Sequence, residues 1–125
     1  MKKSLLFAAL LLSSAAQAET WICESTAGVG LGLKGEVTKY SALDNFIVDS
    51  DQGWKSTNVN KNYTGECVFT PFGDTGKQSL RCYEGHSIGQ TTLTIIFDEE
   101  KDLFNWISTY SSGVIDAQKG YCTKI

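Results

Sequence analysis

Proline, arginine and histidine are almost missing from this chain of 125 residues: Pro71, Arg81 and His86 are the sole examples of each. One proline argues against a collagen-like or proline-rich chain. One arginine, no basic cluster and a formal net charge of −3 make a poor match for a phosphate backbone, so nucleic-acid binding is not expected. A single imidazole leaves no closely spaced ligand pair for zinc. No C-x-x-C is present, which speaks against a thioredoxin-like redox site, and no G-x-S-x-G marks a nucleophile elbow. No apolar run reaches the roughly 20 residues that a membrane-spanning helix needs.

What is present is a chain that is 42% apolar and 11% aromatic, too apolar for disorder and of a length for one domain. Residues 1–18 read as a secretory signal peptide. Lys2 and Lys3 supply the positive start, residues 5–12 the short apolar stretch, and Ala16-Gln17-Ala18 the cleavage site. Glu19 follows where a lipoprotein would carry cysteine, so no lipid or membrane anchor is expected in the mature chain. Residues 19–125 are expected to form a single β domain, periplasmic or secreted. Cleavage would remove two lysines and no acid, taking the net charge from −3 to −5.

Four cysteines remain in that domain: Cys23, Cys67, Cys82 and Cys122. In an exported chain an even number implies two disulfides, and four cysteines allow three connectivities. The expected pairs are Cys67–Cys82, closing a hairpin-sized loop around the turn at residues 72–76, and Cys23–Cys122, joining the first strand to the last.

The local signals are mostly β. Candidate strands cover residues 20–25, 36–40, 45–49, 66–70, 79–84, 91–97, 103–111, 113–115 and 121–125, separated by turns rich in Gly, Asn and Asp. In the clearest of them Leu93, Ile95 and Phe97 share one face, with Thr92, Thr94 and Ile96 on the other. Residues 103–111 read as apolar on both faces, as a central strand should be. One helical turn over residues 41–46 is conceivable, capped by Ser41. Seven to nine short strands make an all-β fold, an antiparallel sheet closed as a small barrel or a sandwich.

No motif carries chemistry convincingly. A literal G-x-G-x-x-G at Gly30, Gly32 and Gly35 lacks the following helix that a dinucleotide site requires, and reads as a loop or a bulged strand. Asp49-Ser50-Asp51 resembles the start of a calcium loop, but Gly53 and Asn60 stand where ligands are needed. His86, between glycines, reads as a solvated loop residue, and no spacing singles out a carboxylate pair from the 14 acids. No catalytic, cofactor or metal residue is therefore assigned. Among the large rings Trp21, Trp54, Phe104, Trp106 and Tyr110, most should be core. Trp54, beside a turn, is the candidate for an exposed partner contact.

The segments Trp21-Ile22-Cys23, Asn45-Phe46-Ile47-Val48, residues 103–110 and Gly120-Tyr121-Cys122-Thr123-Lys124-Ile125 resemble a family of small exported proteobacterial proteins to which no activity is attached. The resemblance implies an exported location and brings no catalytic residues. Periplasmic lysozyme inhibitors share the size, leader and disulfide-linked β body, but their C-terminal motif is absent, so the likeness is one of class. The expectation is a non-enzymatic module that binds a protein partner. The alternatives are a barrel enclosing a small apolar ligand, or a hydrolase with an unrecognised carboxylate pair.

Overall fold

The computed structural model describes residues 18–57 and 62–125. The signal-peptide reading of residues 1–18 therefore falls almost wholly outside the described residues, as does Asn60 of the calcium-like stretch. Among the described residues nine strands follow one another without a helix: β1 (Thr20–Leu31), β2 (Val37–Lys39), β3 (Asn45–Asp49), β4 (Gly53–Ser56), β5 (Glu66–Pro71), β6 (Gln78–His86), β7 (Gly89–Ile96), β8 (Asp102–Tyr110) and β9 (Ile115–Lys124). They form one antiparallel sheet, nearly closed as a barrel, with eight strands in the order β4-β3-β1-β9-β8-β7-β6-β5 and β2 off this path, paired with β1.

β1 and β9 are the spine. One edge of β1 pairs with β9 over almost its whole length. Its other edge is shared, with residues 20–24 against β3 and residues 29–31 against β2. A bulge between Ser25 and Ala27 adds a residue to β1 and sharpens its twist. Closure rests on an isolated bridge. Trp54 and Thr64 exchange two main-chain bonds of 2.8 and 2.9 Å, tying β4 to the segment just before β5. Gly65, at φ +88°, then turns the chain so that β5 pairs with β6. Only glycine takes that backbone conformation without strain.

Alternation decides what lies inside. Trp21, Cys23, Phe46, Val48, Trp54, Leu80, Cys82, Leu93, Ile95, Phe104 and Cys122 form one buried cluster, with Cys67, Phe97 and Trp106 packed against it. Phe46 touches Phe104 edge-on at 6.0 Å between centroids and stacks on Trp106 at 5.9 Å. Phe104 lies opposite Gly120, and any Cβ on Gly120 would meet the Glu24 carbonyl and the Phe104 ring. That glycine gives the ring its place. Inside the wall, the hydroxyls of Thr91 and Ser108 satisfy each other at 2.9 Å.

Both disulfides cross between strands that pair directly. Cys23 opposes Cys122 on β1 and β9, and Cys67 opposes Cys82 on β5 and β6, each with a Cα–Cα distance of 4.0 Å.

Three expectations need correction. No helical turn forms over residues 41–46, where the chain bends and enters β3 at Asn45. Residues 113–115 and 121–125 are not two strands, because β9 is continuous from Ile115 to Lys124, held by neighbours on both edges. β8 is not buried on both faces: Phe104 is 1% exposed inside, whereas Ile107 is 43% exposed on the outer wall.

Candidate functional site

The glycine-rich part of β1 has a packing role. Gly28 and Gly30 turn their Cα hydrogens inward, where the connection between β2 and β3 folds over them. A Cβ at Gly28 would press on Leu43, and one at Gly30 would overlap the Tyr40 hydroxyl. That hydroxyl donates to Asp116 Oδ1 at 2.5 Å, and the bond, with the negative charge beside it, raises the Tyr40 pKa above its usual 10.0. Gln118 completes the arrangement, accepting from the Asp44 amide at 3.1 Å and donating to the Asp44 carboxylate at 3.3 Å. Gly32 and Gly35 lie in the turn between β1 and β2, with Gly35 at φ +81°. No helix follows, so the phosphate-cradle geometry is missing.

The other candidates that the sequence suggests are dispersed. Asp49, 7% exposed, accepts from the amides of Asp51 and Gln52 and from the Thr20 hydroxyl, so its carboxylate organises the turn into β4. His86 ends β6 and sets its ring 6.0 Å from that of Tyr110. Among the described residues no group of three or more His, Cys, Asp or Glu is placed to hold a metal ion. Trp54 is 4% exposed, with its ring against Gly65. It belongs to the core, and the exposure that made it a candidate contact is absent.

Two surfaces stand out instead. On the outer wall of β1, β8 and β9, the small side chains of Ala27 and Ala117 floor a shallow depression of about 260 Å3 walled by Val29 and Ile107. It opens outward and is separated from the packed interior by the sheet itself.

The second surface is β5. This strand pairs with β6 alone among the described residues, because β4 has only four residues and is preceded by a turn. Two apolar side chains, one from each face of β5, are exposed: Val68 outward at 59%, and Phe69 inward at 52%. Phe69 nevertheless belongs to the interior by contact, 6.5 Å from the Trp21 ring and 6.2 Å from Phe97, while Trp21 and Phe97 stack at 5.6 Å. The wall is notched where Phe69 stands. Beside the start of β5, Gln52, Tyr63, Glu66, Tyr83 and Glu84 line an open, polar depression with two carboxylates and no cation among those residues, and Lys55 sets its ammonium over the Tyr63 ring at 4.6 Å. Thr64 donates its hydroxyl to Glu84 at 2.7 Å there. Sequence reading missed Phe69 because its inward position looks like any core residue. The shortness of β4, which uncovers it, depends on how the strands are arranged.

Fold and surface together define a disulfide-linked antiparallel sheet nearly closed as a β-barrel around a buried apolar cluster, with β5 unpaired on its outer edge among the described residues. No family model, curated protein or solved structure matches the chain.

Proposed function

We propose that this protein is a non-enzymatic binding module for a protein partner outside the cytoplasm, and that it contacts the partner through β5 and its surroundings. The observation that carries the reading is Phe69, an aromatic ring that touches Trp21 and Phe97 of the interior yet is left 52% exposed, beside a strand edge with no neighbour among the described residues. Exposed apolar groups grouped at an edge with free hydrogen-bonding capacity mark a contact surface. The buried cluster built on Trp21, Phe46 and Phe104 supports an outward-facing function, since a small-ligand barrel needs an interior cavity of roughly 300 Å3 or more. Two disulfides suit an oxidising compartment.

The test is site-specific photo-crosslinking of the full-length protein in its native cell envelope and medium. A photoreactive side chain replaces Val68, and a control replaces Thr123 on the far wall. A discrete crosslinked protein from position 68 and none from position 123 is the expected result. Equal or absent crosslinking at both would overturn the assignment.

A further inference from the structure

Beyond a contact surface in general, the geometry of β5 specifies how a partner is held. A Cα–Cα distance of 4.0 Å at Cys67–Cys82 marks a close, non-hydrogen-bonded pair of an antiparallel ladder. The residues on either side make the ladder bonds. Glu66, Val68 and Thr70 therefore turn their main-chain groups toward β6, in line with the Phe72 amide bonding the Lys77 carbonyl at 2.9 Å beyond them. Cys67 and Phe69 turn theirs away, to the side where no strand lies among the described residues.

We propose that this edge takes up an extended segment of another protein by strand addition, and that the segment is apolar opposite Phe69 and cationic toward Glu66 and Glu84. The proposal rests on the protein-binding reading and adds its mode and its chemistry. An added strand pairs with the free N–H and C=O groups of Cys67 and Phe69, as in other β-augmentation complexes. Alternation then aims its residue beside Phe69 into the notch, over the ring cluster of Trp21, Phe69 and Phe97. Pro71 lacks an N–H and limits the pairing at that end. The disulfide to β6 holds the edge in its extended shape before a partner arrives, which lowers the ordering cost of binding.

Charge sets the other half of the specificity. Glu66 and Glu84 line the depression next to the start of β5, with Tyr63 and Tyr83 beside them and no cationic side chain among its lining residues. The chain as a whole carries −3. The Lys55 ammonium already sits 4.6 Å over the Tyr63 ring, so a lysine or arginine on the incoming segment meets a carboxylate and the Tyr83 ring there.

The experiment uses the full mature chain and capped synthetic peptides long enough to span β5, alternating valine and threonine, with one phenylalanine and a terminal arginine. Binding is followed by nuclear magnetic resonance and amide hydrogen exchange. The expected result is slowed exchange at the Cys67 and Phe69 amides, with the core amides of β8 and β9 unchanged. N-methylation of alternate peptide amides weakens binding at least about tenfold. Glu66→Gln with Glu84→Gln weakens the arginine peptide about two- to fivefold and leaves a norleucine analogue unaffected. Phe69→Ala, checked for folding by the dispersion of its spectrum, weakens both peptides. Strand addition is overturned if no peptide of the set binds. It is equally overturned if the N-methylated peptide binds as tightly or if the Cys67 and Phe69 amides do not respond. Crosslinking from position 68 that persists in that case leaves the protein-binding reading standing without this mode. Loss of both sinks the two together.

Discussion

The Tyr40 hydroxyl and the Asp116 carboxylate, 76 residues apart in sequence, meet at 2.5 Å over the bare backbone of Gly30. The bond ties the connection after β2 to the barrel's longest strand pair, and the glycine is what lets the ring lie there. Gly30→Ala places a methyl group where the Tyr40 oxygen sits and is expected to cost about 1–3 kcal/mol by overpacking, measured by urea unfolding. The same bond has a pH signature. The raised Tyr40 pKa means that its stabilising contribution is fully present below pH 10.0, the usual tyrosine value, and is lost as pH rises through the folded value. Ultraviolet titration of the phenolates should show the Tyr40 transition moving back toward the usual range in Asp116→Asn.

A second expectation concerns the two cross-links. Cys23–Cys122 spans 99 residues of sequence and Cys67–Cys82 spans 15. In the chain-entropy account such closures are worth roughly 4.7 and 3 kcal/mol. Replacing Cys23 and Cys122 together by alanine should therefore lower the urea midpoint more than replacing Cys67 and Cys82 together. The second pair lies on the edge hairpin, with Cys67 only partly buried, so its removal loosens β5 while the β1–β9 spine stays intact. Hydrogen exchange resolved by strand distinguishes the two, and equal losses in both variants would contradict the account.

Two disulfides were legible as a framework; among three connectivities the sequence could only favour the observed one, because the long and short separations fitted a terminal staple and a hairpin. The segment 45–49 was legible too, since Phe46-Ile47-Val48 is a compact apolar run between turn residues. Residues 26–31 and 116–120 were not. Gly28, Gly30, Asp116 and Gln118 have weak intrinsic strand preference, and they are strand because β1 and β9 pair with each other and with further neighbours. The glycines gained their meaning only from Tyr40 and Leu43, which no local pattern links to them. Trp54 is buried where its place beside a turn suggested exposure, and Phe69, to which the sequence assigned nothing, is exposed. A tryptophan beside a turn is buried by the closing strand, and a phenylalanine in a hairpin arm is uncovered where that closure falls short.

Acid titration offers a third check. Lys77 and Asp98 form an exposed ion pair at 2.9 Å between the β5–β6 hairpin and the turn after β7. The hydrogen bond from Lys77, helped by main-chain amides of the turn, holds the Asp98 pKa below its usual 3.8. A depressed carboxylate contributes stability above its unfolded value, and the contribution disappears as pH falls through the folded one. Lys77→Met should raise the Asp98 pKa, read from its carboxyl carbon shift. It should also flatten the pH dependence of stability below pH 3.8. At neutral pH the change should be small, as for other exposed pairs.

The joint that closes the barrel supplies the sharpest contrast. Gly65 sits at φ +88°, and a Cβ there would run into the Trp54 ring. Gly73, in the β5–β6 turn, also has a positive φ, +55°, but open space around it. Alanine at position 73 bears only the left-handed backbone cost, about 1–2 kcal/mol. At position 65 the same backbone cost is joined by displacement of a buried ring that packs in the core. Gly65→Ala should therefore be the more destabilising of the two, by about 1–3 kcal/mol in urea unfolding. It should also shift the tryptophan emission of the native state to the red as Trp54 loses its cover. Gly73→Ala should leave that emission unchanged. If the two variants unfold at the same urea concentration with identical spectra, then Trp54 and Gly65 are not the packed joint through which the sheet closes.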